Sequence, residues 1–96
     1  MAKLPLSKPL KTHDGEVKEI ALRGLTAADI VEMKTSPFQV LRREGGDVEL
    51  IVKYDVMMKY LSRLSGIDDL VLGAMDGQDF QVACTKVGDI WNGLGE

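Results

Sequence analysis

Few residues in this 96-residue chain have the types and spacing that chemistry requires. There is one histidine, His13, and one cysteine, Cys84. A thiol beside an imidazole is the minimum for a cysteine nucleophile. However, His13 adjoins an Asp-Gly turn signal and sits 71 positions before Cys84, so a turn role is expected for it. Together the two residues cannot supply the N/S ligand set that zinc takes. Carboxylates gather at Asp68, Asp69, Asp76 and Asp79. Such a group can bind a cation or exchange protons, but these four fall at expected helix starts, where a carboxylate favours the helix dipole. Their spacing is not that of a calcium loop. Gly45-Gly46 is followed by Asp47, without the Lys-Ser/Thr pair of a phosphate loop, and reads as a linker turn. The expectation is a non-enzymatic chain with no catalytic residue, cofactor, metal or small-molecule substrate.

The elements that would position these residues follow from patterning. Residues 3–23 read as a β-hairpin. Leu4, Leu6 and Leu10 alternate along its first strand, Ile20 and Leu22 along its second, and Asp14-Gly15 lies at the tip. Pro5 and Pro9 share a parity and are expected on an outer edge, where they block further pairing. The helical part covers 26–92. Thr26 is expected to cap a first helix over about 27–34, with Asp29 three residues on. Residues 35–46 read as a connection with one helical turn around Phe38–Arg42. A long helix is expected from Asp47 to about Ser65, because Leu50, Ile51, Tyr54, Met57, Met58, Leu61 and Leu64 fall within an arc of about 140°. Gly66 then ends it. Asp68 or Asp69 opens a short helix through Met75. Asp76 caps the last helix, whose Phe80, Ala83, Cys84, Val87, Ile90 and Trp91 repeat at i, i+3, i+4. Residues 92–96 are expected to fray. The fold class is α+β: an N-terminal β-hairpin followed by a small bundle of about four α-helices, one domain over 1–96.

On the expected long helix, Val48, Val52, Val56 and Tyr60 form a second apolar stripe at i, i+4, i+8, i+12. It is the candidate protein-binding surface, and it predicts self-association or exposed hydrophobic surface in the isolated chain. Cys84 and Trp91 are read as core residues, with Cys84 buried and reduced.

Composition narrows the partners. Hydrophobic residues make up 45% and charged residues 28%, enough apolar content for one modest core. The formal net charge of −3 argues against nucleic acid as the main partner. Residues 1–43 hold eight Lys/Arg and five Asp/Glu, and residues 44–96 hold four and ten, so the chain is polarised. A helix-turn-helix over 68–91 would place only Gln81 and Lys86, amid acidic residues, where a recognition helix needs base and phosphate contacts. The single cysteine suits a reducing compartment. No apolar run is long enough to span a bilayer, and the lysines and prolines of the N-terminus are not a signal peptide.

The order of motifs resembles one family. Leu6-Ser7-Lys8-Pro9-Leu10 precedes the Asp14-Gly15 turn, then come Ile20-Ala21-Leu22-Arg23 and Leu25-Thr26-Ala27-Ala28-Asp29. Leu61-Ser62-Arg63-Leu64-Ser65-Gly66 leads into Asp69-Leu70 and Met75-Asp76-Gly77-Gln78-Asp79-Phe80. In this the chain is similar to the tail assembly chaperones of Mu-like and P2-like contractile-tail phages, the E-protein type, over nearly its whole length. Residues 35–50 depart most, since family members tend to have a shorter, less glycine-broken middle. The resemblance implies a cytoplasmic protein of the infected host that binds the tape measure protein, keeps it soluble during tail assembly and is absent from the finished virion. It implies no catalytic residues. A permanent tail or tail-completion subunit is the alternative.

Overall fold

The first hairpin forms where alternation placed it. In the computed structural model, which describes residues 2–94, β1 (Ala2–Thr12) pairs antiparallel with β2 (Gly15–Leu22). Thr12 faces Gly15 across the tip, and Gly15 takes φ +119°, a conformation that favours glycine. The Thr12 hydroxyl accepts from the Asp14 N–H and donates to the Gly15 carbonyl, closing the turn. Ala2, Leu4, Leu10, Ile20 and Leu22 are buried on one face. The ladder is not regular throughout. Register shifts between Pro5 and Leu10, so that Leu6–Pro9 bulge opposite Lys18. β1 has a strand on one side only, so both prolines do lie on an edge strand. Pro9 lies within the bulge.

Helix α1 (Ala27–Met33) begins with a capping box. The Thr26 hydroxyl accepts from the Asp29 N–H, and the Asp29 carboxylate accepts from the Thr26 N–H. Next the structure departs from the expected connection and long helix. Phe38–Arg42 is a strand, β3, not a helical turn, and Val48–Val52 is its antiparallel partner β4. The helix expected from Asp47 begins only at Tyr54, giving α2 (Tyr54–Ser65). The reason is competition between periods. Val48, Leu50 and Val52 alternate as well as they fit a helix face, and β-branched residues suit a strand. The Gly45-Gly46 turn, with φ +102° and +92°, brings Phe38–Arg42 within reach as a partner. The part expected to be purely helical therefore contains a second two-stranded sheet.

Gly66, at φ +76°, ends α2 as expected. Asp68 caps the one-turn α3 (Asp69–Leu72), and Asp76 caps α4 (Gly77–Trp91), each by accepting the N–H two residues on. The core lies between the first hairpin and the helices. β2 packs on α2, β1 on α3 and α4, and α2 on both α3 and α4. Its centre is Ile20, Leu22, Met57, Tyr60, Leu61, Leu72 and Val87. Ala83, Cys84, Val87 and Ile90 of α4 are buried in it, and Phe80 and Trp91 are half-buried against it. Cys84 is a free thiol, and burial pushes its pKa up to about 11. Of the residues expected to fray, Asn92 to Leu94 leave the helix in a turn, and Gly95 and Glu96 lie outside the described residues.

Candidate protein-binding surface

The residues singled out for chemistry are not brought together. His13 is exposed at the tip of the first hairpin, whereas Cys84 faces the core. Among the described residues, no three His, Cys, Asp or Glu side chains are grouped to hold a metal ion. Asp68 and Asp76 cap helices. Asp79 has a different task, which the capping expectation missed. Its Oδ1 and Oδ2 accept the Ser7 N–H at 3.0 and 3.1 Å, and Oδ2 accepts the Lys8 N–H at 3.3 Å. These are main-chain donors that the β1 bulge leaves without a strand partner. The bonds, that of Ser7 first, hold the Asp79 carboxyl below the usual carboxylate range. Beside it, Lys8 Nζ lies 3.1 Å from Asp76 Oδ1.

The most buried charge also proves structural. Asp29 is 1% exposed. Arg23 donates to both its oxygens, at 2.7 and 2.8 Å, and Arg63 Nε donates to Oδ1 at 2.6 Å. The Arg23 bonds above all, with those of Thr26 and Arg63, hold the Asp29 carboxyl far below its ordinary pKa. The cluster ties the end of β2 and the start of α1 to the last turn of α2, where the Arg23 N–H also donates to the Leu64 carbonyl. The capping motif signalled the Thr26–Asp29 half. Nothing in the sequence linked Arg63 to a carboxylate 34 positions away.

The four-residue stripe is divided by the change of secondary structure. Val56 and Tyr60 face inward from α2, at 8% and 0% exposure. The Tyr60 hydroxyl donates to the Thr35 carbonyl at 2.7 Å, and its ring meets Trp91 edge-on with centroids 5.6 Å apart. Val48 and Val52 belong to β4, where Val48 is 64% exposed and Val52 half-buried. Val48 and Val52 therefore belong to a sheet face, and the helical stripe does not exist as such.

That face is built by the register of β3 on β4. Phe38 pairs with Val52, Val40 with Leu50 and Arg42 with Val48, so these six side chains share one side. The base of the hairpin is anchored. The Phe38 ring lies against Gly88 of α4, where a Cβ would come within 3.1 Å of Cζ. Pro37 is buried, and its carbonyl accepts the Lys53 N–H. The outer half is not anchored. Val40 is 57% and Leu50 61% exposed, and the loop closes through an Arg43–Glu49 ion pair. A groove lined by Ser36, Phe38, Val40, Leu50, Trp91 and Asn92 runs from the sheet face to the end of α4. A second cleft of about 300 Å³ adjoins the base, between Phe38, Val52, Tyr54 and α4. Large exposed apolar side chains elsewhere, such as Val31, Leu70 and Val82, lie on separate helices. On this arm they are adjacent and aligned.

An α+β protein whose concentrated surface feature is an apolar strand pair beside a groove is suited to contact with other proteins. The chain belongs to the family described as phage tail assembly chaperone proteins, E, or 41 or 14, whose model matches residues 3–90. No curated protein and no solved structure matches it. The helix-turn-helix alternative finds no support in the geometry, since α3 is a single turn of four residues. No helix of the described residues is long and apolar enough to cross a membrane.

Proposed function

We propose that this protein is a non-enzymatic chaperone that binds the tape measure protein in the host cytoplasm during tail morphogenesis and does not remain in the mature virion. Family membership carries this reading. The physics of the partner supports it. A tape measure protein is long and helical, so it exposes apolar helix faces until the tail encloses it. An apolar sheet face with an adjoining groove is a complementary surface for such a helix. We assign the contact to Val48 and Val52 of the original stripe, joined by Val40 and Leu50. Val56 and Tyr60, buried in the core, are left out of the contact.

Co-expression tests the assignment. The tape measure protein should stay soluble and co-purify with the native chain. Val40→Asp and Val48→Asp should both abolish capture while circular dichroism stays native, because both positions are solvent-exposed. Equal solubility of the tape measure protein with and without this chain would defeat the chaperone reading. Detection of the chain in purified particles by mass spectrometry would favour a permanent tail subunit instead.

A further inference from the structure

The arm has an unused edge as well as an apolar face. The Arg43 N–H donates to the Asp47 carbonyl and the Lys53 N–H to the Pro37 carbonyl, so the odd-numbered residues of the second strand bond inward to β3. The main-chain N–H and C=O groups of Val48, Leu50 and Val52 therefore point to the outer edge. Nothing blunts that edge. Val48–Val52 contains no proline, lysine or bulge, the devices that ordinarily prevent strand-to-strand association. Its one charge, Glu49, is paired with Arg43. A lone two-stranded hairpin is also marginal by itself and gains from further strands.

The sequence of this edge is complementary to itself. Asp47-Val48-Glu49-Leu50-Ile51-Val52-Lys53, laid antiparallel on a second copy about a two-fold axis at Leu50, sets Leu50 against Leu50 and Val48 against Val52. Each of these is a pair of outward-facing residues that can exchange two main-chain hydrogen bonds. Asp47 then faces Lys53 of the second copy at both ends. The β3 edge lacks this match. A two-fold at Val40 would set Phe38 against Arg42, and Phe38 is already seated on Gly88.

We propose that β4 is a homodimerisation edge, pairing antiparallel with β4 of a second copy in the register centred on Leu50. The product is a four-stranded sheet in which the two apolar faces become one. The pairing does not depend on the identity of the chaperone's client, and it is measured on the isolated full-length chain.

Sedimentation velocity over a concentration series should show reversible dimers. Leu50→Pro removes an outward N–H and should give monomer. Should that variant fail to fold, the charge exchange decides. Lys53→Asp should weaken the dimer about tenfold by replacing two attractions with two repulsions. Adding Asp47→Lys to it should restore the dimer. Register is read by cross-linking under mild oxidation. Leu50→Cys should give a disulfide-linked dimer, whereas Val48→Cys should not, because two copies of residue 48 would lie about 13 Å apart. A native chain that stays monomeric at about 100 µM would overturn the proposal. So would a dimer indifferent to the charge exchange, or one cross-linked by Val40→Cys in place of Leu50→Cys.

Discussion

The two hairpins of this protein are built from similar material and treated in opposite ways. Both are antiparallel pairs with apolar side chains at alternate positions. In the first, one face is covered by α2, α3 and α4, β1 carries Pro5 and Pro9, and the Asp79 carboxylate takes up the N–H groups of Ser7 and Lys8. In the second, only the base is held, by Phe38, Pro37 and Tyr60, while the face and both edges remain open. Alternation alone makes a strand. Whether that strand becomes core or surface depends on what the rest of the chain places over it. A hairpin that leaves its apolar face open is adapted to contact with something outside the molecule.

Substitutions should separate the two regions sharply. The largest effect is expected from Val56→Asp, which places a charge in the core and should leave the chain unfolded by circular dichroism. Val48→Asp, from the same original stripe, should fold normally. Next comes truncation of matched leucines. Leu22→Ala in the anchored hairpin should cost about 3 kcal/mol in denaturant unfolding. Leu50→Ala on the arm should cost about 0.5 kcal/mol or less at concentrations where the chain is monomeric. Equal losses at the two positions would mean that the arm is packed, and the comparison would fail.

The ties that hold the first hairpin should respond to acid. Asp29→Asn should cost about 3 kcal/mol at neutral pH, because it leaves Arg23 and Arg63 facing an uncharged partner. The folded-state pKa of Asp29 is depressed, so its contribution is fully present above the unfolded value of about 3.9 and declines as pH falls below it. Unfolding at stepped pH should show the native chain losing stability in that range and Asp29→Asn losing less. Asp79, also depressed, acts in the same direction over the same range. The smallest effect is local. Asp79→Ala should speed hydrogen exchange at the Ser7 and Lys8 amides without opening the arm, whose amides should exchange fast at the outward positions 48 and 50 in the monomer. Unchanged protection at Ser7 and Lys8 would show that the bulge is held by something else.

Local signals in the sequence determined much of this protein. Asp14-Gly15 set the first turn because that pair accepts the backbone a tight hairpin requires. Thr26, Asp68, Asp76 and Gly66 marked helix ends because each satisfies main-chain groups within a few residues of itself. The long run of i, i+3, i+4 contacts from Phe80 to Trp91 left α4 no competing period. Residues 38–52 were different. Their apolar pattern satisfies both a 3.6 and a 2.0 repeat, and a strand has no hydrogen bonds until a partner arrives. Only the fold, by seating Phe38 on Gly88 and turning the chain at Gly45-Gly46, supplied that partner and so decided that Val48 and Val52 would stand on a sheet while Val56 and Tyr60 went into the core. The Arg23–Asp29–Arg63 cluster and the Asp79 clasp on β1 were likewise decided in three dimensions. A hydrogen bond between residues 34 or 72 positions apart has no signature in local spacing.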